Sequence, residues 1–289
     1  MMNSRVELPK VAVASHWDAW LSLGFASGSR GTRLVRCRHQ GPLYVQKAFY
    51  PEGDSCAHAY LLHPPGGLVS GDDLRIAVKV EPEAHALITT PGAGRAYRAR
   101  SDGALQYQRN QLSVANAGVL EWLPQENIIY PNARARLDTD VELDADACFI
   151  GWEITSLGWP ASARDLEDGE LQQRLQIRQA GKVVLREHFA VQQANREAVY
   201  GSAGLRQQAV NGLLVAGPFA HEDSELLDEL RALCQREALA GVSQVGKFIT
   251  VRALANRAEP LRKLFTRCWS LLRPALVGVA ACPPRVWNT

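Results

Sequence analysis

Asp73-Leu74-Arg75-Ile76-Ala77-Val78-Lys79-Val80 sets Leu74, Ile76, Val78 and Val80 against Asp73, Arg75, Ala77 and Lys79 in strict alternation. Successive side chains of an extended chain point to opposite faces, so this period of two predicts a half-buried strand with its branched residues on one face. The same period runs through 134–143, where Ala135, Leu137, Thr139, Val141 and Leu143 alternate with Arg134, Arg136, Asp138, Asp140 and Glu142. Around these two lie similar short segments near 31–39, 42–49, 56–62, 84–90, 103–114, 146–155, 171–179, 182–191, 209–216 and 248–254, separated by Gly, Pro or Asp turns. That spacing predicts a mainly β fold, either a large sandwich or a helical β-arrangement.

Helical spacing enters late. Leu226, Leu227, Leu230, Leu233 and Cys234 repeat at three and four after Asp223, a good N-cap residue. A second helix is expected from Glu259-Pro260, with Leu261, Leu264, Phe265, Cys268, Leu271 and Leu272 on one face and Pro274 as its end. Residues 160–170 read as a solvated loop, and 192–208 as a polar segment without a clear period. No repeat or long linker divides the chain, so 1–289 is expected to form one domain.

The composition fits a protein with a large core. The 289 residues are 46% hydrophobic, and a chain of this length buries roughly 75% of its unfolded surface. Thirty-two Lys and Arg against 30 Asp and Glu give a net charge of +2. So weak a field attracts neither nucleic acid nor an anionic membrane, and partners must be recognised by shape. Six cysteines, Cys37, Cys56, Cys148, Cys234, Cys268 and Cys282, lie far apart with no C-x-x-C pair. They predict free thiols in a reducing compartment, not a zinc site or a disulfide framework. The run at 11–14 is too short for a signal peptide, and no apolar run approaches the ~18 residues of a membrane span, so the expected location is the cytoplasm.

The turns carry the chemistry. His63-Pro64-Pro65-Gly66-Gly67-Leu68-Val69-Ser70-Gly71-Asp72-Asp73 has the glycines of a phosphate cradle. It lacks the following Lys-Ser/Thr, runs into a strand and ends in two carboxylates that would repel phosphate. Ser70 is no nucleophile elbow, because Leu68 stands where G-x-S-x-G needs Gly. Two readings remain: a structural turn whose acids cap backbone amides, or a polar passage in which Asp72 and Asp73 face water or metal. Cys56 and His58, two apart on one strand face, are competent transition-metal ligands with His63 close behind, although a Cys and a His on an apolar strand are more often core residues. Tyr97 and Arg98 lie in an arginine-rich loop that reads either as a solvated or carboxylate-pairing patch or as a contact for a protein partner. Leu120-Glu121-Trp122-Leu123-Pro124-Gln125-Glu126-Asn127 reads as a strand end anchored by Trp122, with Glu121 and Glu126 as acids for a polar interior. Glu153 stands within the apolar strand 149–154, where a carboxylate must be paired, hydrated or bound to a cation.

Taken in order, the 63–73 loop, Thr89-Thr90-Pro91-Gly92, the Trp122 strand and the terminal Pro284-Arg285-Val286-Trp287-Asn288-Thr289 resemble the urease accessory protein UreD (UreH) family over nearly the whole chain. The resemblance implies a non-enzymatic maturation chaperone. Such a protein binds urease apoprotein, joins a UreF-like protein and through it a UreG-like GTPase, and is associated with an internal route for nickel. No tightly bound cofactor is implied. Weak oxygen sites suit a relay better than a Cys/His cage, which makes Asp72, Asp73 and Glu153, with Cys56, His58 and His63, the candidate transient nickel ligands. Tyr97, Arg98, Arg285 and Trp287 are the candidate partner contacts, the tail docking on a partner or on the domain itself. GTP hydrolysis is left to the partner, since this chain has no P-loop. A stand-alone nickel protein would need clustered ligands, against which the seven scattered histidines argue. An enzyme at the 63–73 loop would need a convergent acid and base.

Overall fold

The computed structural model describes residues 16–221, 223–236 and 239–288. Its first sheet is built from β1 (Asp18–Gly28), β2 (Gly31–Gln40), β5 (Asp73–Val80), β8 (Gln106–Val114), β11 (Arg134–Leu143), β13 (Glu170–Gln179) and β14 (Lys182–Val191), in the spatial order β14-β13-β11-β8-β5-β1-β2. The second contains β3 (Ala48–Phe49), β4 (Cys56–Tyr60), β6 (His85–Thr89), β9 (Val119–Leu123), β12 (Cys148–Leu157), β15 (Val210–Gly217), β16 (Ala240–Val245) and β17 (Phe248–Ala255), in the order β16-β17-β15-β12-β9-β6-β4-β3. Two short strands, β7 (Gly94–Ala96) and β10 (Asn127–Ile129), pair with each other, and β10 also pairs with β12.

The inner strands are parallel. β1, β5, β8, β11 and β13 run parallel in one sheet and β4, β6, β9 and β12 in the other. Parallel neighbours need a crossover, and here the facing sheet supplies it: the chain goes from β5 to β6, back to β8, across to β9, and so on to β13. The fold is therefore a mainly β, coiled two-sheet arrangement, as the strand spacing indicated.

Burial follows from this layering. On β5 the odd residues face outward and Leu74, Ile76, Val78 and Val80 are buried between the sheets. The second sheet is buried on both faces, so β4, β6 and β9 read as nearly continuous apolar runs. Its far face is covered by α2 (Ser224–Arg236) and α3 (Ala258–Val277), while α1 (Arg196–Tyr200) is a short turn in the polar 192–208 segment. Asp223 caps α2, accepting from Leu226 N at 3.0 Å.

Three local expectations need correction. Pro274 does not end α3, which continues to Val277 and stops at Gly278 with φ +76. Proline removes one hydrogen bond, and so close to the end the helix tolerates that loss for a single further turn. The 42–49 segment is not one strand: only Ala48 and Phe49 are, with an isolated bridge at Tyr44. β1 and β16 lay outside the expected segments. In β1 the alternation is present, with Ala19, Leu21, Leu23 and Phe25 buried between Asp18, Trp20, Ser22 and Gly24, whereas in β16 the half-buried row Ala240, Val242 and Gln244 mixes apolar with polar and leaves Val245 outside.

Candidate functional site

Several strands place polar side chains at positions whose parity belongs to the core. On β8 these are Gln108 and Asn110, on β11 Thr139, on β12 Glu153 and on β13 Gln173. Parallel pairing sets those of β8, β11 and β13 side by side on the inner face, and Glu153 meets them from the facing sheet to complete the seam. Gln108 donates to Asn110 at 3.3 Å, Asn110 to Thr139 Oγ1 at 3.1 Å, and Thr139 Oγ1 to Glu153 at 2.9 Å. Gln173 donates to the other Glu153 oxygen at 2.7 Å and accepts from Thr155 at 2.8 Å. Burial pushes the Glu153 carboxyl above its ordinary range, opposed by the hydrogen bonds from Thr139 and Gln173.

The seam borders a cavity of about 250 Å³ between the sheets, whose other wall includes His63, Gly66, Gly67, Thr90 and Arg95. Glu153 and Gln173 also line a second cavity of about 180 Å³, bounded by Glu187, His188, Asn211 and Arg252. Glu153 thus stands where the two meet. His63 Nε2 is buried without a hydrogen-bond partner, and burial lowers the pKa of its ring. Glycine is required at 67, where an added Cβ would come within 2.7 Å of the Arg95 carbonyl and 2.8 Å of the Tyr97 ring.

The six candidate ligands fall in three places. His63 and Glu153 share the first cavity. Asp72 is fully buried and accepts from Trp17 N at 2.7 Å and Val69 N at 2.8 Å, the capping arrangement of a structural turn. Asp73 binds Arg75 at 2.5 Å and Arg109 at 3.5 Å at the start of β5. Neither acid reaches the cavity. Replacing Asp72 with Ala leaves two backbone donors unpaired and is expected to cost about 1–3 kcal/mol in a urea melt.

Cys56 and His58 point to the opposite face of the second sheet, beneath the helices. There Glu121, fully buried on β9, accepts from Arg273 Nε at 2.9 Å and Trp269 Nε1 at 2.5 Å, and lies 2.7 Å from His85 Nε2. Arg273 reaches on to Glu52 at 2.8 Å, and Glu52 lies 2.6 Å from His58 Nε2. Cys56 sits among these groups, close enough that Glu52, Cys56 and His58, or Cys56, His85 and Glu121, could share an ion by distance. Arg273 already supplies the cation. Burial and the neighbouring carboxylates push the Cys56 thiol far up, so its sulfur is held neutral. Glu52, His85, Trp269 and Arg273 escaped the sequence reading because no local pattern links residues as much as 221 positions apart. Gln108, Asn110 and Gln173 did carry a signal: each is polar at a core parity.

Of the partner candidates, Tyr97 packs on Tyr130 with ring centroids 5.5 Å apart and Arg98 is exposed beside it. Trp287 docks on the chain's own core, against Trp152 at 5.5 Å and Trp269 at 5.8 Å, with Nε1 donating to Thr89 Oγ1 at 2.8 Å. Arg285 is left exposed. No helix among the described residues is long and apolar enough to cross a membrane.

The chain matches the family model described as UreD urease accessory protein over residues 18–288. It is 49% identical to the urease accessory protein UreD of Marinomonas sp. (strain MWYL1), over 98% of this chain and 93% of that protein. The proteins of the same name from Hahella chejuensis and Dechloromonas aromatica are 41% and 38% identical, over 96% and 100% of this chain and 93% and 100% of theirs. Matches of this extent, spanning both sheets, the helices and the tail, show that the chain belongs to the UreD family of urease accessory proteins.

Proposed function

We propose that this urease accessory protein is a non-enzymatic chaperone of urease maturation that gives nickel a polar route between its two sheets. In this reading the chain binds urease apoprotein in the cytoplasm together with a UreF-like protein, and a UreG-like GTPase drives nickel insertion through that complex. The carrying observation is Glu153 at the junction of two cavities, the one carboxylate of a seam otherwise made of amides and hydroxyls. A single buried carboxylate with neutral oxygen neighbours holds a divalent ion weakly enough to release it. The unpartnered His63 Nε2 at the first cavity offers a further nitrogen donor. Asp72, Asp73, Cys56 and His58 serve capping or ion-pair roles in this scheme and stand outside the route.

The test is Glu153→Gln, assembled with urease and its accessory partners. Replacing the buried carboxyl with an amide of the same shape keeps a hydrogen-bonding side chain for Thr139 and Gln173 and leaves melting temperature and co-purification unchanged or improved. Nickel recovered in urease is expected to drop severalfold. Parent-like nickel content in urease matured with a stable, complex-forming Glu153→Gln variant would eliminate the route.

A further inference from the structure

The free edge of the first sheet has the makings of a docking strand. β2 ends the strand order, and among the described residues its strand ladder is formed with β1 alone. Outside that ladder, Thr32 N donates to Asp54 O at the strand's beginning, and on the inner face Cys37 Sγ lies 4.0 Å from Val45 O and the His39 ring 6.0 Å from Tyr44. The register shifts at Gly24 and Phe25, leaving Val35 unopposed, and from Arg36 to Gln40 the strand is regular again, opposite Gly24 to Trp20. All of residues 35–40 are exposed, whereas the inner strands of this sheet bury every second residue. Five regular residues with an outward row of amides and carbonyls are enough to accept one more strand.

Charge selects the occupant. Arg36 and Arg38 lie on the outer face with Gln40, and their guanidinium groups have no partner among the described residues. The neighbouring Arg75 and Arg109 share Asp73. Gly24 opposite Arg36 adds no side chain to fill this face, since a Cβ there would press on the Arg36 stem at 3.1 Å. A second copy of this chain pairing edge to edge in antiparallel fashion would set arginines against arginines, and like charges directly opposite destabilise a pair. The other three sheet edges, β14, β16 and β3, lack such a row: Arg186 of β14 is bound to Gln176, β16 carries no charge, and β3 is only Ala48 and Phe49. Exposed Trp20, donating to Gln40 at 3.2 Å, adds an aromatic anchor beside the row.

We propose that residues 36–40 of β2 receive an acidic, extended segment of a partner protein by strand addition, with carboxylates at alternate positions meeting Arg36 and Arg38. This surface lies apart from the two cavities and does not depend on the nickel route. The probe is an alternating Val-Glu heptapeptide, with its Val-Lys counterpart as control, added to the full chain. Binding is followed by fluorescence anisotropy and by amide hydrogen exchange. The Val-Glu peptide is expected to bind and slow exchange at 36–40, and the Val-Lys peptide to do neither. Arg36→Glu with Arg38→Glu, both at exposed positions the fold does not need, should weaken Val-Glu binding by roughly tenfold or more. Three results would overturn the proposal: no protection at 36–40, equal binding of both peptides, or a charge-reversed variant that binds Val-Glu like the parent. Any of these would make the arginines simple guards against edge-to-edge aggregation.

Discussion

Arg273→Met is expected to destabilise the chain by about 3–5 kcal/mol at pH 7, because it leaves the fully buried Glu121 without its cation. Arg273 is itself fully buried and ties α3 to the second sheet through Glu121 and to the 50–53 turn through Glu52. It also reaches the Ala280 carbonyl, holding the chain beyond the helix. The pH dependence gives the loss a signature. Burial raises the Glu52 carboxyl, but hydrogen bonds from His58 and Arg273 outweigh it and hold the group at about 2. Burial is outweighed in the same direction at Glu121 by His85 and Arg273. A depressed carboxyl stabilises the fold above its unfolded value near 4.5 and loses that contribution as pH falls toward 2. The parent should therefore weaken steeply over that window. In Arg273→Met, protonation relieves the stranded carboxylates, so the gap between variant and parent in urea melts should be widest at pH 7 and narrow below pH ~4.5. A gap independent of pH would show that Arg273 acts by packing alone.

Trp287→Ala is the second large effect, expected to cost about 2–4 kcal/mol. Its ring closes a three-tryptophan cluster with Trp152 and Trp269, and its Nε1 hydrogen bond to Thr89 fixes the last turn of the chain onto β6. The exposed Arg285 two residues earlier contributes no comparable packing, and Arg285→Ala should leave stability within about 0.5 kcal/mol of the parent. Together the two variants separate fold from recognition. If the tail contacts the UreF-like partner through Arg285, co-purification falls in Arg285→Ala at an unchanged melting temperature. If it serves only the domain, Trp287→Ala alone affects the complex, and does so in step with its lowered melting temperature.

Much of the strand content was legible because the period of two is a local property. Leu74 to Val80 and Ala135 to Leu143 show their buried faces in their own spelling, and both lie between the sheets. The helices were legible for the same reason, since α2 and α3 bury Leu227, Leu230, Leu264 and Phe265 at helical spacing. Glu153 also stood out locally, as an acid amid apolar residues. Its partners did not, because Thr139 and Gln173 reach it from two strands of the facing sheet, and which strands face each other is a matter of winding, not of spelling.

Local spelling carried the β class, the positions of the two long helices, the odd placement of Glu153 and, through the order of the turns and the Trp-bearing tail, the family resemblance. The assembled fold is what separates the acids: Asp72 spends both oxygens on backbone amides, while Glu153 opens onto two cavities. It alone set Cys56 and His58, which read either as metal ligands or as core residues, beside Arg273, more than 200 residues away, in the surroundings of a buried ion pair. The physical reason is one of range. Side-chain parity and helical spacing are fixed within a few bonds, whereas the desolvation of a carboxylate and the cation that offsets it depend on which distant strands and helices the coiled sheets bring together.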